Sequence, residues 1–470
     1  MLTKKETDMK KSIYMAMGLM LMLSSCKSFL DVKPKGKVLP ETDEEYLSVL
    51  NGMLYQIDTY DAGEGTVIPG PTEIVNMEAI SDNLDANLED YMGGEKSGLP
   101  LYAGSEINRR QSMWKNNYEY IRNCNIILEA VQDRESALAR NMTAACLAIK
   151  GVCYYNLMRG FCLPYKPSTA ANTPGLPLVK TFDLEERPQR SSLKETGEYV
   201  CGLLRDAAAM GLKEEDYIFT EDVANAFLAK ALFWMQDWDG CISLCGPLMD
   251  KYPLSGRDEY ENMIQELNRQ TGEIITKSFK GGSPTNYNYT NARKAAGRRP
   301  INKTFIDLFG SAPEKDIRYA VTVGSRRMNR KIICGRLRSS ELCLMAAEAC
   351  AHTGDDENAL RLLNELRSKR IEGAVDYTME TLAEVRKGLI AEDASGRELT
   401  PLMSAIFDER RKELFLEGDR WYELKRNGSP QMYVISNMRK YTTYKYLYTF
   451  PINRYDVELG GLVQNEGYRY

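Results

Sequence analysis

The chain is predicted to be mainly α: a tetratricopeptide-like helical repeat scaffold with irregular, loop-rich insertions. Three observations carry that expectation. Val223–Lys251 and Glu341–Lys369 align without a gap, with Leu228 on Ala346, Ala229 on Ala347, Ala231 on Ala349, Asp237 on Asp355, Ile242 on Leu360 and Leu248 on Leu366. Small residues at matched places, with turns at Gln236–Asp239 and Thr353–Asp356, describe helix–turn–helix pairs whose helices approach closely. Apolar positions elsewhere recur at helical steps, as in Trp114, Tyr118, Ile121 and Leu128. Two stretches, about 60–108 and 252–335, lack any such face and are rich in Gly, Asn, Asp and Pro.

In order along the chain, residues 1–25 read as a signal peptide. Lys10-Lys11 precedes an apolar run from Ile13 to Leu23, and Ser24-Ser25 supplies small residues before a cut site. The run is too short for a bilayer span, which needs about 20 apolar residues. Met1 and Met9 both remain open as the start. Leu23-Ser24-Ser25-Cys26 resembles a bacterial lipobox, in which the thiol of Cys26 takes lipid and becomes the new N-terminus. A thiolate is the nucleophile such a step requires, and several acyl chains on one residue give stable attachment. Residues 26–42, with Pro34, Gly36 and Pro40, read as a tether, and residues 43–470 as one domain.

Within that domain, helices are expected at about 43–53, 114–131, 143–161 and 193–210, then in the two matched pairs. A single strong helix is expected over Ile406–Arg426. Gly272-Glu273-Ile274-Ile275 reads as a short strand, and the tail from Tyr441 as irregular and tyrosine-rich. Besides Cys26, ten cysteines remain of the 11 in the chain. Cys146/Cys153, Cys241/Cys245 and Cys343/Cys350 fall at helical spacings, which favours buried, mostly unpaired thiols, with one or two bridges left open.

Composition narrows the function classes. The 470 residues carry a net charge of −5, and loss of the first 25, with four Lys against Glu6 and Asp8, takes it to −7. With no long basic run, nucleic-acid binding is set aside. The single histidine, His352, excludes multi-histidine zinc sites, and its place at a helix end suits an interaction with the last carbonyls. No C-x-x-C, nucleophile elbow or phosphate loop occurs, so no metal, cofactor or catalytic residue is expected. Glu409, Glu413 and Glu417 lie four apart and could do acid–base work. They are interleaved with Arg410, Arg411 and Lys412, and ion pairing depresses a carboxyl where a general acid needs it raised. A structural helix locking repeat layers by charge-assisted bonds is the favoured reading.

Five stretches in order resemble the SusD/RagB family. They are Cys26 followed by Phe29-Leu30-Asp31; Arg338-Ser339-Ser340-Glu341 with Ala347-Glu348-Ala349; Leu363-Asn364-Glu365-Leu366-Arg367; Ile406 through Arg426; and Phe450-Pro451-Ile452-Asn453 with Gln464-Asn465-Glu466-Gly467-Tyr468. Departures from the pattern are Lys150-Gly151, Phe161-Cys162-Leu163-Pro164 and Glu466.

The resemblance implies a lipid-anchored outer-membrane protein facing the cell exterior, without enzymatic activity. It would capture an oligosaccharide and deliver it to a SusC-like TonB-dependent transporter. A peptide ligand is the alternative within the same family, and a surface glycoside hydrolase the remote one. Sugar capture uses flat aromatic faces and polar contacts to hydroxyls, and the 28 tyrosines against 12 phenylalanines suit it. Because loops on a rigid frame carry recognition, the candidate ligand contacts are Asp82, Asn83, Tyr91 and Tyr102 in the first irregular stretch, and Tyr287, Tyr289 and Arg293 in the second.

Overall fold

The structure, a computed structural model, describes residues 40–59, 65–85, 111–183, 185–266, 271–277, 287–297, 299–333, 335–436 and 439–468. The expected lipid site Cys26, the signal peptide and most of the tether lie outside the described residues, as do Tyr91 and Tyr102.

Helices dominate. The frame consists of α1 (Asp43–Thr59), α2 (Pro71–Ala79), α3 (Gln111–Ala130), α4 (Ala137–Phe161), α5 (Leu193–Ala209), α6 (Glu221–Trp234) and α7 (Trp238–Lys251). An inserted region carries α8 (Arg257–Gln265), α9 (Tyr287–Ala296), α10 (Lys303–Ile306) and α11 (Ile317–Thr322). The frame then resumes with α12 (Ser339–Thr353), α13 (Asp356–Arg370), α14 (Pro401–Glu413) and α15 (Arg420–Arg426). A short α16 (Arg454–Glu458) lies near the end. Two antiparallel ribbons complete the description: β1 (Pro174–Pro177) with β2 (Arg190–Ser192), and β3 (Met432–Ser436) with β4 (Arg439–Thr443), where Met432 faces Thr443.

Consecutive helices pack as a stack, α3 on α4, α4 on α5, α5 on α6 and α6 on α7; α7 then packs on α12, and α12 on α13 and α14. The matched segments are therefore two helical hairpins, α6–α7 and α12–α13, in contact with each other. Their aligned aspartates do the same work. Asp237 accepts from the Gly240 amide and Asp355 from the Asn358 amide, so each caps the second helix of its hairpin. The reversal before each cap needs a left-handed residue, supplied by Gln236 (φ 63°) and Gly354 (φ 83°).

Helix α4 is buried on nearly every side from Ala144 to Phe161. At its centre, a Cβ on Gly151 would stand 2.7 Å from Leu204 Cδ2 of α5, so the glycine sets the distance between these two helices. The nine described cysteines are free and buried. Cys241 and Cys245 are 3.8 Å apart at sulfur, a thiol contact rather than a bond near 2.05 Å.

The structure corrects several expectations. Ile406–Arg426 is two helices: α14 ends at Glu413, and Leu416 (φ 56°) and Gly418 (φ 80°) turn the chain before α15 starts at Arg420. Gly272–Ile275 forms one bridge, Ile274 to Arg338, instead of a strand. The described residues of 252–335 hold four short α-helices rather than irregular chain alone, and the tail carries the β3–β4 ribbon up to Thr443. His352 does sit in the last turn of α12, but its ring stacks on Trp238 of the other hairpin, at 4.0 Å and 7°. It ties hairpin to hairpin. Among the described residues no helix is long and apolar enough to cross a membrane.

Gly151→Ala is expected to destabilise the protein by about 1–3 kcal/mol through overpacking. In a double-mutant cycle read by urea unfolding, Leu204→Ala should cost less on the Gly151→Ala background than on the parent. Additive costs would remove the close-approach explanation.

Candidate functional site

The row of carboxylates Glu409 and Glu413 on α14, with Glu417 in the turn that follows it, is the first place to test for chemistry. Glu413 receives Arg338 Nη1 at 2.7 Å and Arg370 Nε at 3.0 Å, with Arg318 Nη1 at 3.5 Å. Glu273 shares the same two arginines, Arg338 at 2.6 Å and Arg370 at 2.9 Å. Glu409 pairs with Arg318 at 2.7 Å and with Lys412, and Glu417 binds Lys331 at 2.6 Å and Arg338 Nη2 at 2.7 Å. Tyr260 lies under the Arg370 guanidinium at 4.1 Å.

Arg318, Arg338, Arg370, Glu273 and Glu413 are all without appreciable solvent exposure. Burial alone would raise the carboxyls, but the arginine charges win. Arg318 and Lys412 bring Glu409 down to about 2, and Arg370, Arg338 and Arg318 hold Glu413 well below the ordinary range. Such groups stay ionised and donate no proton, so the row is a lock rather than an acid–base pair. The partners are not the neighbouring Arg410 and Arg411, which turn elsewhere. Arg410 binds Asp419 at 2.8 Å, and Arg411 binds Asp82.

A cleft opens on another face of α14. Its volume is about 560 Å³. Ser404, Phe407, Asp408 and Arg411, at three- and four-residue steps, form one wall. Asn302, Thr304, Asp307 and Leu308 around α10 form the second, and the 386–390 loop closes a third side. Gln431, Met432 and Tyr433 of the β3 edge make the rim, where Tyr433 is 42% exposed and Lys440 Nζ sits 4.3 Å from its ring centroid.

Asp82 and Arg420 form the floor. Arg420 grips Asp82 with two parallel bonds, Nε to Oδ1 at 2.7 Å and Nη2 to Oδ2 at 2.9 Å, and Arg411 Nη2 approaches Oδ2 at 3.1 Å. Burial opposes ionisation of Asp82, yet Arg411 and Arg420 hold its carboxyl far below the usual range. Asn83 accepts from Arg411 Nε at 2.9 Å and donates to Glu78 at 2.7 Å. Glu78, pushed up to about 7 by burial, also accepts the Leu416 amide. Asp82 and Asn83 thus build and brace the floor of the cleft, with their polar atoms engaged by protein partners.

The other sequence candidates fall elsewhere. Tyr289 is buried, with Ala292 and Ala296, in an apolar cluster that includes Phe305 and Phe415. Tyr287 is 78% exposed at the start of α9, and Arg293 is exposed on the same helix. Sequence reasoning brought Asp82 to the cleft but missed Arg386, Lys387, Asp408 and Tyr433. The signal available was the 404/407/408/411 spacing on a helix whose other face is charged and paired.

A second cleft, about 520 Å³, is lined by Trp114, Tyr118, Arg122, Pro177 and Tyr455 among others. There Trp114 Nε1 donates to Asp456 at 2.7 Å and Tyr118 donates to the Pro177 carbonyl. No group of three or more His, Cys, Asp or Glu among the described residues could hold a metal ion.

Comparison with known proteins gives a consistent picture. A model described as the SusD family matches residues 260–468, and one described as starch-binding, associating with outer membrane, matches residues 28–232. No curated protein matches the chain. A SusD superfamily protein from Bacteroides thetaiotaomicron is 18% identical with a TM-score of 0.69, covering 90% of this chain and 99% of that one. A SusD-like carbohydrate binding protein from Bacteroides vulgatus is 17% identical with a TM-score of 0.62, covering 90% and 97%. A laminarin-binding SusD-like protein is 16% identical with a TM-score of 0.58, covering 91% and 100%.

Glu413→Gln is expected to cost about 3–5 kcal/mol, because it leaves buried arginines uncompensated. The contribution of Glu409 and Glu413 is fully present above the unfolded carboxylate value of about 4.3. It is lost as pH falls from there through about 2, the folded value of Glu409. Urea unfolding at pH 7, 4 and 3 checks both points. The variant should lose less stability than the parent on acidification, and an equal loss would contradict the lock.

Proposed function

The chain belongs to the SusD/RagB family, and from that premise we propose that it is a lipid-anchored outer-membrane binding protein that captures an oligosaccharide and passes it to a SusC-like TonB-dependent transporter. The single observation that carries the ligand half of this reading is the cleft on α14. It is largely preformed, because its floor is fixed by buried ion pairs, and it mixes hydroxyl-binding groups with an exposed tyrosine face. A polyol needs that combination, ring against ring and paired polar atoms at its edges. Laminarin binding by a structural neighbour is in keeping with it.

Tyr287 and Arg293, exposed on α9, are proposed as further contacts, together with Tyr91 and Tyr102. Tyr289 is assigned a packing role by its burial, and Asp82 and Asn83 a bracing role. The lipid on Cys26 would hold this receptor at the membrane through the 26–42 tether. Hydrolysis is not proposed, since Glu409, Glu413 and Glu417, whose spacing could have served acid–base work, are each bound to buried cations.

Two measurements test the reading. Calorimetric titration of the mature chain against glycan and peptide pools should give saturable binding to a glycan, weakened several-fold by Tyr433→Ala or Tyr287→Ala; binding only to peptides would replace the sugar. Cys26→Ala should move the protein from the membrane to the soluble fraction with an unchanged melting temperature. Retention at the membrane would remove the anchor from the proposal.

A further inference from the structure

Pairing inside the cleft is unequal. Seven charged residues line it: Asp82, Asp307 and Asp408 against Arg386, Lys387, Arg411 and Arg420. Asp82 is taken by Arg420 and Arg411, and the remaining nitrogen of Arg420, Nη1, donates to Glu423 at 2.7 Å. Asp307 is bound by Lys303 at 2.7 Å one helical turn away. Asp408 has Arg386 Nε at 3.9 Å, a distance beyond a hydrogen bond, and also feels the charges of Lys412 and Arg411 on its own helix.

Three cationic groups keep donors to spare. Lys387 is exposed and has no partner among the described residues. Arg386 is half exposed, and its Nη1 reaches only a backbone oxygen, of Asp307 at 3.4 Å. Arg411 is 92% buried by its 8% side-chain exposure, and its Nε and Nη2 are bound to Asn83, Asp82 and Thr304. Its Nη1 carries no protein bond among the described residues, although the side chain lines the cleft. Arg411 contacts one carboxylate, that of Asp82, and also feels Glu423 and Asp408, so what it keeps for a ligand is one unbonded nitrogen where water is scarce. Burial and the neighbouring Arg420 bring it down to about 10, and it stays charged at neutral pH. A cation so placed gains from an arriving anion more than a surface lysine does, because it is less well hydrated.

We infer that this cleft takes a ligand bearing a carboxylate, as an oligosaccharide containing uronic acid does, and that Arg386, Lys387 and Arg411 hold that carboxylate. Arg411 supplies the fixed donor. It lies one turn along α14 from Asp408, the residue beside Arg386, and both arginines line the same cleft. Arg386 and Lys387, adjacent on the loop, supply charge at the mouth. A planar guanidinium matches a carboxylate in geometry as well as sign. The sugar is preferred to an acidic peptide because Ser404, Gln431 and Tyr433 line the same space with hydroxyl, amide and ring. The inference rests on the oligosaccharide-binding reading and narrows it to a substrate class.

The experiment compares three probes on the full mature chain by calorimetry: an oligogalacturonide, its methyl ester, and a glutamate-rich peptide, each in low and in high salt. The oligogalacturonide should bind at least tenfold tighter than the ester, with the ratio shrinking as salt screens the pairing. In Arg386→Ala, Lys387→Ala and Arg411→Gln the ratio should fall toward one. The two loop variants are checked for an unchanged melting temperature, since Arg411 also braces the floor. Equal binding of acid and ester overturns the inference and leaves oligosaccharide capture standing. An acid preference untouched by all three substitutions also overturns it, and binding of the peptide alone overturns both readings.

Discussion

One buried carboxylate, Glu413, holds the parts of this molecule in register. Arg338 reaches it from the start of α12, Arg370 from the end of α13, and Arg318 from α11 in the inserted region. Glu273, from the bridge that precedes α12 in space, binds the same two arginines from the other side. A helical hairpin, an insertion of about eighty residues between the hairpins and the helix that follows them therefore meet at a single point. Desolvating these charges costs several kcal/mol each, and only a complete set of partners offsets that cost. Apolar packing tolerates small slips; a buried charge cluster does not. That intolerance gives one arrangement of insertion on frame rather than several.

The same helix connects the lock to the cleft. On α14, Glu409 and Glu413 face the arginines, while Ser404, Phe407, Asp408 and Arg411 line the open side. Fixing the first face fixes the second, since all lie on one short, hydrogen-bonded rod. The turn at Leu416 and Gly418 then brings Arg420 back beneath Arg411, where both hold Asp82. Glu78 receives the Leu416 amide and Asn83, and so pins the turn to α2. The cleft inherits its rigidity from ion pairs it does not itself display. The proposed capture of a ligand would benefit from this, because a preformed surface spends less of its binding free energy on ordering side chains.

What the sequence disclosed and what it hid follow from the range of the interactions. The helical hairpins were legible because their determinants are local: small residues at matched places, and Asp237 and Asp355 at caps that depend on three following residues. The carboxylate row on α14 was legible as structural for the same reason, from spacing and interleaved charge. Its partners were not. Arg318, Arg338 and Arg370 are remote in sequence, and nearby Arg410 and Arg411 offered a plausible but incorrect match. The break after Glu413 was also hidden, because Leu416 adopts a left-handed conformation that its own side chain disfavours. Tertiary bonds to Glu78 and from Lys331 to the Phe415 carbonyl hold it there.

The candidate ligand residues show the same division. Asp82 was found through composition of an irregular stretch, and it does line the cleft, yet its carboxylate is committed to two arginines. Tyr289 was chosen for its type, but periodicity with Ala292 and Ala296 turns it into the core. Residue type says what a side chain could bind; only burial and pairing say whether it is still available. By that criterion the informative groups are those left over after internal pairing is complete. In this cleft they are a lysine, an arginine on a loop and one nitrogen of a buried arginine, and no pattern of neighbouring residues announces them. That nitrogen is left over because the other nitrogens of Arg411 turn to Asp82, Asn83 and Thr304, an outcome set by the folded geometry alone.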